Sequence, residues 1–259
     1  MKNIKESAFD VHVKVYSDAA TASKYVAYRI ATEILDKQIA GEQAVLGLAT
    51  GSTPKMVYQH LINLHKNAGL SFQNVYTFNL DEYYPMKPVE DQSYVKFMNE
   101  QLFNHIDIPK NNIFIPDGTL STDAITHYCE TYEQRIIDLG GLDIQLLGIG
   151  RTGHIGFNEP GSDWDSTTRL VTLHDVTRTD GAADFGSKEK VPKHAITMGM
   201  QTICNAKKII LMAWGSRKAD ILQKAIEGAV TTQVPASYLQ QLKNVEYIID
   251  NEASALLNN

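Results

Sequence analysis

Ile144-Gln145-Leu146-Leu147-Gly148-Ile149-Gly150-Arg151-Thr152-Gly153-His154-Ile155-Gly156-Phe157-Asn158-Glu159-Pro160 opens as an apolar run and then breaks into a loop. The run Ile144 to Leu147 has the length and character of a buried strand. The loop holds glycines at positions 148, 150, 153 and 156, one histidine and, five residues later, one glutamate stopped by a proline. Glycine lets backbone come close to a ligand. In an open α/β sheet, ligands bind beyond the carboxyl ends of the strands, where this loop lies. A histidine with a nearby carboxylate is a minimal device for moving a proton near neutral pH. A plain glycine-rich turn with a solvated His and Glu would read the same way, so the rest of the chain decides.

Outward from this stretch, the strand-turn-helix unit recurs. Ala44 to Leu48 is an apolar run, followed by Ala49-Thr50-Gly51-Ser52-Thr53-Pro54 and a helix with Val57, Leu61 and Leu64 on one face. Ile209 to Ala213 leads through Trp214-Gly215-Ser216-Arg217-Lys218 into a helix to about Ile226. Val75 to Phe78 runs into Asn79-Leu80-Asp81-Glu82-Tyr83-Tyr84-Pro85. Val11 to Tyr16 and Val245 to Ile249 supply first and last strands, and Ile113 to Ile115 a short one. Helices are expected after Ser17 or Asp18 (stripe Ala22, Val26, Ile30, Ile34), over Ser93–Phe103, and over Thr122–Leu139. Leu170–Leu173 reads as an extended piece, and Asp180–Lys193 as a mobile connection or lid because it is rich in Gly, Asp and Lys. Strands alternate with helices and no low-complexity linker divides them. The expectation is one domain over residues 1–259: a doubly wound, mostly parallel, Rossmann-like α/β sheet with helices on both faces.

The chain has 259 residues, 43% of them hydrophobic, and a net charge of -6. No long basic block occurs, which argues against nucleic acid and anionic membrane partners. The two cysteines, Cys129 and Cys204, make no disulfide framework and suit a reducing, cytoplasmic setting. Met1 to Glu6 has no apolar run behind it that would make a signal peptide. An acidic protein of this kind must hold an anionic substrate by local groups. Thr50 to Thr53 offers them: backbone N–H groups, hydroxyls and the positive end of a helix dipole. Lys218 stands near another helix start, where a cation is unfavourable unless an anion offsets it. Asp81 and Glu82 cannot face the same way on extended backbone, so one is expected to point into the crevice and the other to support its surroundings. No second histidine stands at metal-ligand spacing, and His174 and the other scattered histidines read as ordinary.

Four pieces in this order resemble the glucosamine-6-phosphate deaminases: Leu48 to Pro54, Phe78 to Tyr83, Gly148 to Pro160, and Gly215 to Lys218. The Gly-His-Ile-Gly-Phe-Asn-Glu-Pro run is the specific one; the related 6-phosphogluconolactonases share a Gly-His without the continuation. The resemblance spans about residues 12–250. It implies conversion of glucosamine 6-phosphate and water to fructose 6-phosphate and ammonia, with no cofactor and no metal. It implies Asp81 as the base over C2, and His154 oriented by Glu159 for ring opening. It implies Ser52, Thr53 and Lys218 at the phosphate, Thr50 and Gly51 in the same loop, Glu82 in a supporting role, and Thr152 and Gly153 at the substrate. The partner is then a small phosphorylated amino sugar, and a homo-oligomer is compatible. The chain departs from many members in three places. Thr152 stands for an Asp or Asn, which leaves ring opening to His154 and Glu159. Ala183 stands for an arginine, which implies weaker affinity or a shifted substrate, with phosphate held by Lys218 and the Gly51–Thr53 loop and Arg178 or Arg151 as further candidates. Val171 stands for a lysine, which implies no activation by N-acetylglucosamine 6-phosphate. Those departures keep two alternatives open: another phosphosugar such as galactosamine 6-phosphate, and a catalytically silent sugar-phosphate sensor.

Overall fold

In chain order the described residues, 11–258 of this computed structural model, form β1 (His12–Tyr16), α1 (Ala19–Ile39), β2 (Ala44–Leu48), α2 (Lys55–Ala68), β3 (Val75–Asn79), β4 (Asp81–Tyr84), α3 (Tyr94–Gln101), β5 (Ile113–Phe114), α4 (Ile125–Asp138), β6 (Ile144–Leu147), β7 (Arg169–Thr172), α5 (Asp175–Phe185), β8 (His194–Thr197), α6 (Met200–Cys204), β9 (Ile209–Ala213), α7 (Ala219–Ile226) and β10 (Val245–Asp250). Seven strands make one parallel sheet in the order β1-β10-β9-β6-β2-β3-β5. The Met1 to Glu6 stretch read for a signal lies outside the described residues. Among the described residues no helix is long and apolar enough to cross a membrane.

Side chains alternate across a strand, and here the alternation divides the core in two. Ala44, Leu46, Leu48, Ile144, Leu146, Ile210 and Met212 pack with Val26, Ile30, Val57, Leu61 and Met98 of α1, α2 and α3. Their neighbours Val45, Leu147, Ile209, Leu211 and Tyr247 pack with Tyr132, Ile136, Ile203 and Leu222 of α4, α6 and α7. Helices therefore cover both faces, as the near-continuous apolar strands require. Each Leu or Ile buried this completely contributes roughly 1.5–3 kcal/mol. Asp18 caps α1, its carboxylate accepting the Thr21 N–H at 2.7 Å.

From β2 the chain moves out through β3 to β5; from β6 it moves the other way, through β9 to β10. The order reverses between β2 and β6, which lie side by side, and a crevice opens there beyond the carboxyl ends of both.

A second sheet was not legible in the sequence. β4, β8 and β7 form an antiparallel three-stranded sheet. The chain leaves the parallel sheet at Leu80, whose N–H donates to Leu48 and whose carbonyl accepts from Met198. Asp81 then starts a new strand opposite Thr197. Asp180–Lys193, read as a mobile connection or lid, carries regular structure. Its first half belongs to α5, followed by a 3-10 turn at Lys188–Lys190. The His174 imidazole accepts the Val176 N–H at one end of α5, and Gly186 closes the other end in the left-handed conformation. The Arg178 guanidinium donates to the carbonyls of Lys188 and Val191. Arg178, just before the segment, thus satisfies part of the segment's backbone.

Candidate active site

The crevice between β2 and β6 is a cleft of about 230 Å³, lined by the loops that follow β2, β3 and β6. Ala49, Thr50, Gly51, Ser52 and Thr53 form one wall. This loop enters α2 through Pro54 with no side chain capping the helix, so the first N–H groups of the helix lack intrahelical acceptors. Its position is fixed from two sides. The Tyr58 hydroxyl donates to the Ala49 carbonyl, and the Trp214 Nε1–H donates to the Thr53 carbonyl at 3.1 Å.

Asp81 lies in the cleft and is 6% exposed. Burial, reinforced by the neighbouring Glu82 charge, pushes its carboxyl up to about 8. Glu82 points the other way. Its carboxylate accepts from Ser93 Oγ at 2.9 Å and from the Tyr94 N–H at 2.8 Å, at the positive end of α3. Burial raises its pKa even against these donors. The expected split between one carboxylate facing the crevice and one supporting its surroundings is what strand alternation produces. Glu82 is 1% exposed and is taken up by the start of α3.

The His154 ring lies against the backbone of Gly150; a Cβ there would stand 2.0 Å from His154 Nε2. Its Nδ1 is 2.9 Å from Thr152 Oγ1 and 3.4 Å from Glu159 Oε2. Burial works against ionisation of Glu159, but His154, Thr177 and the His174 N–H together hold it below the ordinary glutamate value. An ionised Glu159 calls for the proton on Nδ1 and leaves Nε2 free to accept one. Gly156 takes φ +57, and a Cβ on it would come within 3.3 Å of Asp81 Oδ2. The loop then fastens to β8: the Phe157 N–H donates to Thr197 Oγ1, and the Asn158 amide to the Met198 carbonyl.

The remaining expected residues stand around this core. Thr152 touches His154 rather than the cleft wall. Gly153 does not line the cleft. A Cβ there would meet Val234 Cγ1 at 2.7 Å, and its carbonyl accepts the Ala236 N–H, so it packs the loop onto the 3-10 segment Pro235–Gln241. Lys218 stands behind the cleft floor, its Nζ donating to the Ile149 carbonyl at 2.6 Å. Burial foremost, then Arg151 and Arg217, lower its pKa against the pull of Asp180. The sequence reading missed Tyr94. It lines the cleft, stacks on Phe157 at 6.2 Å and packs against Tyr83, and burial raises its hydroxyl well above the tyrosine value. Only its place one residue after the α3 cap Ser93 hinted at order there. Among the described residues no three His, Cys, Asp or Glu side chains gather as metal ligands.

The sequence and fold of this chain are shared with known proteins. A model of the glucosamine-6-phosphate isomerases/6-phosphogluconolactonase family matches residues 17–248. The chain belongs to this family. The glucosamine-6-phosphate deaminase of Clostridium botulinum (strain Langeland) is 47% identical over 235 residues, 91% of this chain and 94% of that one. A glucosamine-6-phosphate deaminase-like protein of Bacteroides thetaiotaomicron is 47% identical over 93% of this chain, which spans 36% of that longer protein. The solved structure of a monomeric glucosamine-6-phosphate deaminase superposes with a TM-score of 0.90 at 43% identity, covering 95% of this chain and all of that one. A 6-phosphogluconolactonase from Trypanosoma brucei, at 20% identity and a TM-score of 0.78, covers 96% of this chain and all of its own and shares the fold of this glucosamine-6-phosphate isomerase/6-phosphogluconolactonase family member.

Proposed function

We propose that the protein is a glucosamine-6-phosphate deaminase, converting glucosamine 6-phosphate and water to fructose 6-phosphate and ammonia. One observation carries the reading. A single cleft holds a buried carboxylate, Asp81, and an imidazole, His154, whose Nδ1 faces Thr152 Oγ1 at 2.9 Å and Glu159 Oε2 at 3.4 Å, with an open helix start beside them. Proton transfer at two places on one anionic sugar needs that set.

In this reading the phosphate rests on the Gly51–Thr53 loop with Lys218 behind it. His154 Nε2 takes the anomeric hydroxyl proton and returns it to the ring oxygen as the C1–O5 bond breaks. Glu159 stabilises the imidazolium that forms between the two transfers. Asp81 then removes the C2 proton and delivers it to C1. In the same isomerisation the C1 oxygen gains one proton and the amine loses one, so the C1 carbonyl becomes an alcohol and C2 becomes an imine. Water adds to C2, the C–N bond breaks, and ammonia leaves behind the ketone.

Asp81 must be ionised to begin. With a pKa of about 8, much of it is protonated at neutral pH. The substrate's own ammonium, seated beside it, favours the carboxylate. The same burial makes the ionised group a stronger base than an exposed aspartate.

The test is release of ammonia and fructose 6-phosphate from glucosamine 6-phosphate by the native chain and by Asp81→Asn. Equal amounts of both products from the native chain, lost in the variant, are expected. Turnover that survives the substitution would remove Asp81 from the chemistry. Binding without turnover by the native chain would make the protein a sensor.

A further inference from the structure

A phosphate dianion that leaves water for a cleft needs strong, charge-assisted partners, yet none of the residues lining this cleft is Lys or Arg. Lys218 is close but already donates to the Ile149 carbonyl. Two nearby arginines are committed elsewhere. Arg178 holds the carbonyls of Lys188 and Val191, and Arg169 holds the Asn158 side chain and the Thr167 carbonyl. Arg151 is different. It follows the cleft-lining Gly150 directly, its side chain is 61% exposed, and its Nη2 lies 2.7 Å from Asp180 Oδ1. Asp180 is on α5 and is 46% exposed. Among the described residues no other ion pair joins the loop of His154 to α5. Arg151 and Asp180 both act by charge on the Lys218 ammonium, in opposite directions, so the three form one electrostatic group.

We propose that Arg151 is the second cation for the substrate's phosphate, and that Asp180 holds it as a competing anion until the phosphate enters. An ion pair this exposed is weak, because water screens it and both side chains lose freedom. A guanidinium on phosphate makes two parallel charge-assisted bonds. The exchange therefore runs from Asp180 to phosphate. Arg151 in this role sets affinity for the phosphorylated form of the sugar, and the trade with Asp180 loosens the loop of His154 from α5 as substrate binds. The proposal deepens the phosphosugar reading and rests on the Gly51–Thr53 loop being the phosphate site.

A simple latch between loop and helix would use the same two residues, but the two roles differ in sign. Inorganic phosphate is titrated calorimetrically into the native chain, Arg151→Gln, Asp180→Asn and Lys218→Met, with melting temperatures recorded alongside. Arg151→Gln is expected to weaken phosphate binding by about tenfold, the loss of one charge-assisted contact. Asp180→Asn is expected to tighten it by roughly two- to threefold, because a competing charge is gone. Changes in the same direction for both, or no change in either, would overturn the proposal and leave a latch. If Lys218→Met alone abolishes binding in that case, the phosphate site stands without Arg151. If the native chain binds no phosphate, the site itself is misassigned and the proposal falls with it.

Discussion

Asp81→Asn removes one ionisable group from a buried position and should make the protein more stable as well as inactive. The carboxyl has an ordinary value of 3.8 and stands at about 8 in the fold. Between those values the native state holds a proton that the unfolded chain releases. By linkage, stability then falls as pH rises through this window, by about 1.4 kcal/mol per pH unit for one proton. From pH 5 to pH 7 the native chain loses roughly 3 kcal/mol through this group alone. Asparagine keeps the shape of the protonated acid and has nothing to ionise. Subtracting the two stability curves cancels every other titration the chains share. The assay is urea unfolding of both chains at pH 5, 6 and 7. The gap in unfolding free energy, variant minus native, should widen by roughly 3 kcal/mol across the range. A gap that stays constant would refute the reasoning, since it would mean that Asp81 ionises in the fold at least as freely as in the unfolded chain.

The same burial predicts that kcat/KM rises with pH through about 8, because the free enzyme's base must be ionised; a profile flat from pH 6 to 9 would contradict it. Glu82→Gln removes the charge that helps raise Asp81 and should move that limb to lower pH, while costing about 1–3 kcal/mol in unfolding free energy for the start of α3 it now holds less well. Gly150→Ala should lower kcat by about a hundredfold or more with little change in urea midpoint, because a Cβ 2.0 Å from His154 Nε2 forces the ring from its place; near-native kcat would show that the ring can move without consequence. Glu159→Gln should lower kcat for the natural substrate far more than for a substrate already held open-chain, and equal losses on both would assign Glu159 to a structural role.

Much of the parallel sheet was legible because buried strands write themselves as short apolar runs. Ala44–Leu48, Ile144–Leu147 and Ile209–Ala213 needed no partner to be read. The loops after them were legible as candidate sites for the same reason, since a parallel sheet places its strand ends on one rim. β4, β7 and β8 were harder. Asp81-Glu82-Tyr83-Tyr84 is two carboxylates and two tyrosines, and its strand character comes from pairing with His194–Thr197, more than a hundred residues away. α5 was missed because Gly, Asp and Thr are weak helix formers, and its stability comes from end caps and from the Arg178 contacts. Tyr94 carried no signal of its own, because an aromatic after a helix cap is ordinary until a second aromatic, Phe157, stacks on it.

By itself the sequence determined which chemical groups stand at the strand ends: a Gly-Ser-Thr turn, an aspartate beside a glutamate, a histidine five residues before a glutamate, and a lysine. Those are local properties of the chain, set by periodicity and by the residues that stop a strand. Only the tertiary structure decided which of them share a cleft. It turned Asp81 inward and gave Glu82 to α3, turned Gly153 away to Val234, and set Lys218 behind Ile149 with Arg151 and Asp180 beside it. Burial and distance decide a carboxylate's proton affinity, and both depend on residues far apart in the chain brought together by packing.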